Sequence, residues 1–215
     1  MRVPLYPANA NLEVHLGNPG SYANKPNGIN EAVCLDFHSP YGCSKGAADQ
    51  YFRDYHRIYG VRSVVFRQSC IYGRHQFGNE DQGWVAHFII SSLLGDQVHI
   101  YGNGKQVRDL LFVDDLCDLY LQFVENPDPM LGRIYNIGGG ASNAISVLDL
   151  IAILEDIHKH KIDFDFGPWR PGDQRIYVSD ISGIYRDCGW KPKISPKVGV
   201  EALMTWAADN IGLFK

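Results

Sequence analysis

The sequence predicts an α/β fold, because a segment with helical periodicity leads directly into a run of β-branched residues. Residues 40–59 repeat apolar side chains at helical intervals between an opening proline and a closing glycine, Gly60. Residues 61–66 follow at once and contain three valines, as expected of a buried strand. A helix that leads into a strand without a long loop is typical of a parallel α/β sheet.

The remaining elements follow from the same two periodicities. Four prolines and many Asn and Gly residues predict that residues 1 to about 38 are irregular. Asp114 precedes an apolar-periodic segment and is expected to cap a helix that ends near Val124. Asn136 is expected in a turn or loop. Further helices are predicted at residues 84–94, 146–158, 180–188 and 196–211, and strands at 99–101, 107–113, 133–137 and 162–166.

Length and composition describe a globular chain of 215 residues, 45% of them hydrophobic and 20% charged, with one core or one domain plus part of another. The net charge is −4, and Lys and Arg form no run. These values argue against a nucleic acid or a membrane bound through bulk charge. Any phosphate of a ligand must therefore be bound by individual arginines. The sequence contains no apolar run long enough for a signal peptide or a membrane span, so neither is predicted.

Five cysteines are scattered along the chain and include no C-x-x-C pair, which argues against a disulfide framework and a zinc site. A reducing cytoplasm is therefore the expected location. His158 and His160 are expected to form a solvated helix end rather than a metal site.

Tyr41 and Lys45 are the strongest candidates for chemistry. They lie four residues apart at the start of the first predicted helix, so their side chains share one helical face. An ammonium near a phenol favours the phenolate, which can then take a proton from a sugar hydroxyl. An ordinary surface pair has the same spacing, so the pair alone does not identify an enzyme.

Five sequence blocks, taken in order, resemble the extended short-chain dehydrogenase/reductase family, the NAD-dependent nucleotide-sugar epimerases and dehydratases. The resemblance runs from about residue 25 to the end of the chain. It implies a partial Rossmann-like parallel sheet in residues 1–75 and a smaller α/β nucleotide-sugar-binding domain in residues 76–215, the two interleaving. The blocks are residues 39–45, 66–73, 104–109, 135–139 and 170–173.

The resemblance also implies the reaction and the cofactor, NAD. Tyr41 would take the proton of a sugar hydroxyl, Lys45 would hold the nicotinamide ribose, and Ser69 would line the nicotinamide pocket. Within the family, residues 25–28, 35–51, 76–77 and 81–84 most resemble the enzymes that invert C2 of a CDP-sugar, converting CDP-paratose to CDP-tyvelose. A related 4-epimerase or dehydratase would differ in its substrate.

The substrate residues implied by the resemblance are Arg108 and Arg170 for the diphosphate, with Tyr101 at the base or ribose. Gln82 and Trp84 would border the nucleotide at the start of a helix. Alternatives stay open: each arginine could pair with a neighbour, Asp109 or Asp173, and both aromatic residues could belong to the core.

A complete family member has a Gly-x-x-Gly-x-x-Gly turn that holds the cofactor pyrophosphate, and no convincing copy precedes Tyr41. Residues 17–23 imitate it, but the proline and glycine that follow are incompatible with the required helix. We therefore expect the carboxy-terminal portion of an epimerase. It would act with a separate amino-terminal NAD-binding half, form a homodimer, or be a non-catalytic remnant. An open strand near residues 61–68 predicts oligomerisation.

Overall fold

The α/β fold is confirmed by a computed structural model, which describes residues 28–37, 39–170 and 174–214. The expectations for residues 1–27, for the imitation turn at 17–23 and for Asp173 lie outside the described residues. The helices are α1 (Pro40–Tyr59), α2 (Trp84–Leu94), α3 (Val113–Glu125), α4 (Val147–His158), α5 (Ser182–Cys188) and α6 (Pro196–Asp209). The strands are β1 (Val65–Gln68), β2 (Ile71–Tyr72), β3 (Val98–Tyr101), β4 (Val107–Asp109), β5 (Leu111–Phe112), β6 (Ile134–Ile137), β7 (Ala144–Ser146), β8 (Phe164–Gly167) and β9 (Ile176–Tyr177).

Helix α1 begins and ends where the sequence predicts, because both ends are fixed by local chemistry. The Ser39 hydroxyl accepts a hydrogen bond from the Gly42 amide at 3.0 Å, which caps the amino end. Gly60 ends the helix in the left-handed region at φ 66°. The bounds of α2 are also confirmed, and the remaining helices after α3 agree with the prediction within two residues.

The first strand begins at Val65, four residues after the predicted start. Its parallel partner β6 begins at Ile134, so strand pairing starts with the Val65 and Ile134 register. Val61 is not part of the strand. Its carbonyl lies 2.8 Å from the His56 ring nitrogen, in the turn after α1. Among the described residues β6 is the strand that pairs with β1.

The remaining strands form short sheets. Strands β2 and β5 pair in parallel, as do β3 and β8, while β4 lies between antiparallel β7 and parallel β9. The predicted strand at residues 107–113 is thus two strands, β4 and β5, because each has a different partner. Leu110, between them, donates its amide hydrogen bond to Asn143 instead.

Two sequence expectations are wrong. Asp114 does not cap α3, because the helix already begins at Val113, directly after the strand residue Phe112. The Asp114 carboxylate instead forms an ion pair with Arg74 at 2.5 Å. Asn136 is not in a turn: it lies buried in β6 and donates from its side chain to the Ile29 carbonyl at 2.8 Å. Both side chains contact residues far away in sequence, which local patterns do not reveal.

The main hydrophobic core lies between α2, α4 and α6 and includes Ile89, Leu150 and Leu203, each with no exposed surface. A second cluster packs α3 and α5 against β6 and includes Leu119, Ile137 and Ile184. Among the described residues, no helix combines the length and apolar character needed to cross a membrane.

Candidate active site

Two adjoining grooves contain the residues that the sequence singled out. The first, which we call the Tyr41 groove, has a volume of about 840 Å³. The second, the Arg108 groove, has a volume of about 400 Å³. Five residues line both grooves and so form a common wall: Gln68, Cys70, Asp81, Gly83 and Trp84.

Tyr41 and Lys45 open onto the Tyr41 groove from the first turns of α1. The Lys45 Nζ lies 5.5 Å from the centroid of the Tyr41 ring, so the two side chains do share one face. The Tyr41 side chain is 60% exposed and can be reached by a ligand. Among the described residues, no carboxylate pairs with Lys45, so its hydrogen-bond donors can face the groove.

A buried ion pair fixes α1 relative to β1. The Arg67 Nε donates to the Asp49 Oδ2 at 2.6 Å, and both side chains are almost fully buried. The segment before α1 also packs against the helix at Gly46, where the Phe37 ring occupies the place of a side chain: an added Cβ would lie 2.0 Å from that ring. These contacts hold α1, which begins with Pro40 and Tyr41, against β1 and the segment before the helix.

Ser69 follows β1 directly and donates its amide hydrogen bond to the Ile137 carbonyl at 2.9 Å. It lines the Arg108 groove, next to the common wall. Its neighbour Cys70, which the sequence did not single out, has a positive φ of 44°, a strained conformation for this residue type. Burial raises the pKa of the Cys70 thiol, so the side chain is neutral at physiological pH.

Gln82 and Trp84 lie around the start of α2. Asn79 and Gln82 exchange backbone hydrogen bonds of 2.8 and 3.2 Å in a tight turn, and Gln82 lines the Tyr41 groove only. Trp84 begins α2, packs edge-on against Phe88 with ring centroids 5.9 Å apart, and lines both grooves. The aromatic core role considered for Trp84 and its place on the groove wall therefore coexist.

Arg108 enters the Arg108 groove from β4, the middle strand of its sheet. Its guanidinium donates to the Val107 carbonyl at 2.8 Å and to the Gln174 carbonyl at 2.5 Å. The neighbouring Asp109 turns away into the interior, where its Oδ2 accepts from the amides of Gly140 and Ser179 at 3.1 and 3.0 Å. Burial raises the pKa of Asp109 to about 6.

Arg170 and Tyr101 form a stacked pair in the same groove, with the guanidinium carbon 3.9 Å from the ring centroid. Two acidic residues meet Arg170: its Nη2 lies 3.5 Å from the Glu80 carboxylate and its Nη1 lies 3.4 Å from that of Asp81. The Tyr101 hydroxyl donates a hydrogen bond to Glu80. The sequence did not single out Glu80, because its contacts depend on how the loop before α2 folds back.

The residue types in the Tyr41 groove fit the nicotinamide ribose of NAD. A ribose offers hydroxyl acceptors, and the Lys45 ammonium and Tyr41 hydroxyl provide donors on one wall of a groove with room for a ligand. No cluster of three or more His, Cys, Asp and Glu side chains suited to a metal is found in residues 28–37, 39–170 and 174–214. His158 instead contacts the Ser92 hydroxyl at 3.1 Å.

Known proteins are similar to this chain in sequence and in fold. CDP-paratose 2-epimerase of Salmonella typhi is 46% identical over 191 residues, which is 86% of this chain and 56% of that protein. dTDP-glucose 4,6-dehydratase of Neisseria gonorrhoeae is 34% identical over 182 residues, 80% of this chain and 51% of the relative. The chain thus spans about half the length of these curated relatives.

A solved structure and a family match agree with these relatives. The structure of UDP-glucuronic acid 4-epimerase from Bacillus cereus, in complex with UDP-glucuronic acid and NAD, superimposes with a TM-score of 0.77 at 27% identity and covers 85% of this chain and 57% of that one. Residues 14–138 match the NAD dependent epimerase/dehydratase family. The chain therefore belongs to the NAD-dependent epimerase/dehydratase family.

Proposed function

We propose that this chain provides the proton-transfer helix and the nucleotide-sugar groove of an NAD-dependent nucleotide-sugar epimerase. The observation that carries the proposal is the common wall between the two grooves. It connects Tyr41 and Lys45, which suit proton transfer, with Arg108 and Arg170, which suit a diphosphate. A nucleotide sugar needs both functions along one continuous path, with the sugar at one end and the nucleotide at the other.

In the proposed reaction the phenolate form of Tyr41, beside the Lys45 ammonium, takes the proton of a sugar hydroxyl and becomes a neutral phenol. Tyr41 and Lys45 would hold the nicotinamide ribose of NAD, and the cofactor would supply hydride chemistry at the carbon that carries this hydroxyl. Tyr41 then returns the proton to the oxygen of the keto sugar. Arg108 and Arg170 hold the diphosphate throughout, so the sugar can present its other face while the nucleotide stays bound. Inversion at that carbon leaves no net oxidation.

The proposed substrate is CDP-paratose, inverted at C2 to CDP-tyvelose. The support is the 46% identity to a CDP-paratose 2-epimerase, compared with 34% to the dehydratase. The residue roles are part of the proposal: Tyr41 and Lys45 for proton transfer and the nicotinamide ribose, and the remaining predicted residues for the nucleotide sugar. These remaining residues are Gln82, Trp84, Tyr101, Arg108 and Arg170. Ser69 lines only the Arg108 groove, but it is proposed beside the nicotinamide because its neighbours Gln68 and Cys70 belong to the common wall.

The division into residues 1–75 and 76–215 is also part of the proposal, with the two parts interleaving: β1 of the first pairs with β6 of the second. We also propose a cytoplasmic location, which suits the free thiols of all five cysteines.

A second candidate is a non-catalytic nucleotide-sugar-binding protein that pairs with another chain through α1. It is favoured by the apolar side chains that α1 exposes, such as Ile58, which is 64% exposed. The pairing partner would be a second copy or a separate amino-terminal NAD-binding half.

Isothermal titration of the 215-residue chain with CDP and with NAD tests the proposal. We expect CDP to bind and Arg108→Ala to weaken it by at least tenfold, because a phosphate contact with a charged donor is lost. Supplying NAD and the amino-terminal half of the Salmonella typhi relative should then yield CDP-tyvelose from CDP-paratose. CDP binding without turnover would favour the second candidate, and absence of CDP binding would contradict both.

A further inference from the structure

Glu80 occupies a chemically specific position in the Arg108 groove. Its carboxylate accepts a hydrogen bond from the Tyr101 hydroxyl, and the Arg170 guanidinium lies beside it at 3.5 Å. Tyr101 and Arg170 are themselves stacked. The three side chains therefore form one unit that combines a flat surface with a hydrogen-bond acceptor at its edge.

The carboxylate of Glu80 is ionised at neutral pH. The hydrogen bond from Tyr101 is the largest cause that lowers the pKa of Glu80, and the charge of Arg170 lowers it further, as do His87 and His99. An ionised carboxylate only accepts hydrogen bonds. A ligand group that contacts the Glu80 carboxylate must therefore donate a hydrogen bond. A hydrogen-bond acceptor at the same place is repelled by the carboxylate charge.

The Glu80 unit lies where the base of a nucleotide sugar is expected. If the sugar is at Tyr41, the nucleotide extends across the common wall into the Arg108 groove. Glu80 and Tyr101 line the Arg108 groove but not the Tyr41 groove, so they lie on the nucleotide side of the wall. An aromatic ring with a stacked guanidinium provides the flat surface on which a base can stack.

We propose that Glu80 selects the base of the bound nucleotide by accepting a hydrogen bond from the exocyclic amine of cytosine. This inference rests on the proposed function, since it requires a nucleotide in the Arg108 groove. Cytosine carries an amine at the position where uracil and thymine carry a carbonyl oxygen. The amine donates to the carboxylate, whereas the carbonyl oxygen faces it as a second acceptor. Glu80 thereby favours CDP-sugars over UDP- and dTDP-sugars, whose bases otherwise have nearly the same shape.

The chain offers a matched control in Asp81. Its carboxylate lies 3.4 Å from the Arg170 Nη1, so it affects the charge near Arg170 as Glu80 does. The Tyr101 hydroxyl, however, bonds to Glu80. Glu80→Gln and Asp81→Asn each remove one negative charge beside Arg170, but only the first changes the proposed acceptor for the base.

The test is a titration of the full chain and its variants with CDP and with UDP. We expect the unaltered chain to bind CDP about tenfold more tightly than UDP, the size of one charge-assisted hydrogen bond. Glu80→Gln should bring the two affinities together, because an amide both donates and accepts. Asp81→Asn should leave their ratio unchanged, even if both nucleotides bind more tightly.

Equal binding of CDP and UDP by the unaltered chain would overturn the inference, as would an unchanged ratio in Glu80→Gln or equal changes in both variants. If both nucleotides bind and Arg108→Ala weakens both, such a result would refute the role of Glu80 and leave the proposed function standing. Failure of both nucleotides to bind would overturn the proposed function and this inference with it.

Discussion

The two grooves depend on regions that are built very differently. The Arg108 groove rests on a core to which α2, α4 and α6 each contribute fully buried side chains, such as Ile89, Leu150 and Leu203. The Tyr41 groove depends on α1, whose buried residues are Gly42, Gly46 and Asp49. The Arg108 groove is therefore stabilised by its own packing, whereas α1 buries few of its residues.

The outward face of α1 sharpens this contrast. The apolar side chains that repeat along α1 form a stripe whose members are at least half exposed, and one of them, Phe52, also lines the Tyr41 groove. A monomeric surface rarely exposes such a continuous apolar face. One sequence can thus contain a region stabilised by its own core and a helix whose apolar face needs a covering surface. The stripe consists of Tyr51, Phe52, Tyr55, Ile58 and Tyr59.

The largest expected effect separates the two regions by function. Tyr41→Phe should lower epimerase turnover by about 10²–10⁴-fold, because it removes the proposed proton acceptor, while CDP affinity stays unchanged. Turnover of CDP-paratose in the presence of NAD and the amino-terminal half of the relative, together with CDP titration, measures both quantities. Tyr51→Phe is the matched control, since Tyr51 is another exposed tyrosine of α1 that does not line the Tyr41 groove. Equal losses in both variants would contradict the role of Tyr41.

The second prediction separates the two regions by stability. Arg67→Ala leaves the buried Asp49 carboxylate without its charged partner, which should cost about 3–5 kcal/mol. Because the pair joins α1 to β1, amide hydrogen exchange should rise mainly in α1. Leu150→Ala should cost about 2–5 kcal/mol and speed exchange throughout α2, α4 and α6.

Arg62→Ala is the control for the charge change, because its pair with Asp128 is exposed and should contribute less than about 1 kcal/mol. The contrast between the regions fails if Arg67→Ala accelerates exchange equally in α1 and α4, or if it behaves like Arg62→Ala.

The third prediction concerns pH and the interior beneath the Arg108 groove. Asp109 has a pKa of about 6 in the folded chain against an ordinary value of 3.8, so between these values the folded state binds more protons than the unfolded state. Stability contributed by this group is therefore present at low pH and lost as pH rises through about 6. The difference of about 2 in pKa corresponds to about 3 kcal/mol.

Asp109→Asn lacks this titration and keeps an oxygen for the amides of Gly140 and Ser179. Its free energy of unfolding relative to the unaltered chain should rise between pH 4 and pH 7, as measured by urea unfolding. The nearby Cys70 and Tyr177 titrate above this window, since burial raises the pKa of each. The prediction fails if the difference in free energy of unfolding does not change between pH 4 and pH 7, as expected for the control Asp128→Asn. Asp109 would then titrate normally.

The smallest expected effect concerns the exposed face of α1. We expect the chain to self-associate through this face, and Ile58→Lys to weaken the association by about tenfold because it places a charge in an apolar contact. Sedimentation velocity over a range of concentrations gives the dissociation constant. Val198→Lys introduces the same charge at an exposed position of α6 and should leave it unchanged. A monomer at all concentrations would count against this part of the account.

The sequence predicts the elements of this fold best where local chemistry decides. Both ends of α1 are predicted correctly, because Ser39 and Gly60 cap the helix through contacts within one helical turn. The start of β1 depends on where β6 offers a partner, which no local pattern contains. Periodicity predicts the apolar stripe of α1 as a helix, but it does not say which surface covers that stripe.

The same distinction applies to the site. Tyr41 and Lys45 could be predicted to share a face, because a helix fixes that spacing. Glu80 and Cys70 could not be predicted from the sequence, since one reaches Tyr101 through a folded loop and the other follows a strand with an unusual φ. A carboxylate and a thiol without a recognisable spacing carry no local signal of a role.

The most direct measurement is the crystal structure of the chain bound to a CDP-sugar. We expect the diphosphate on Arg108 and Arg170 and the sugar within hydrogen-bonding distance of the Tyr41 hydroxyl, with the ligand crossing the common wall beside Trp84. A ligand confined to one groove, with its sugar turned away from Tyr41, would contradict the claim that the two grooves form one site.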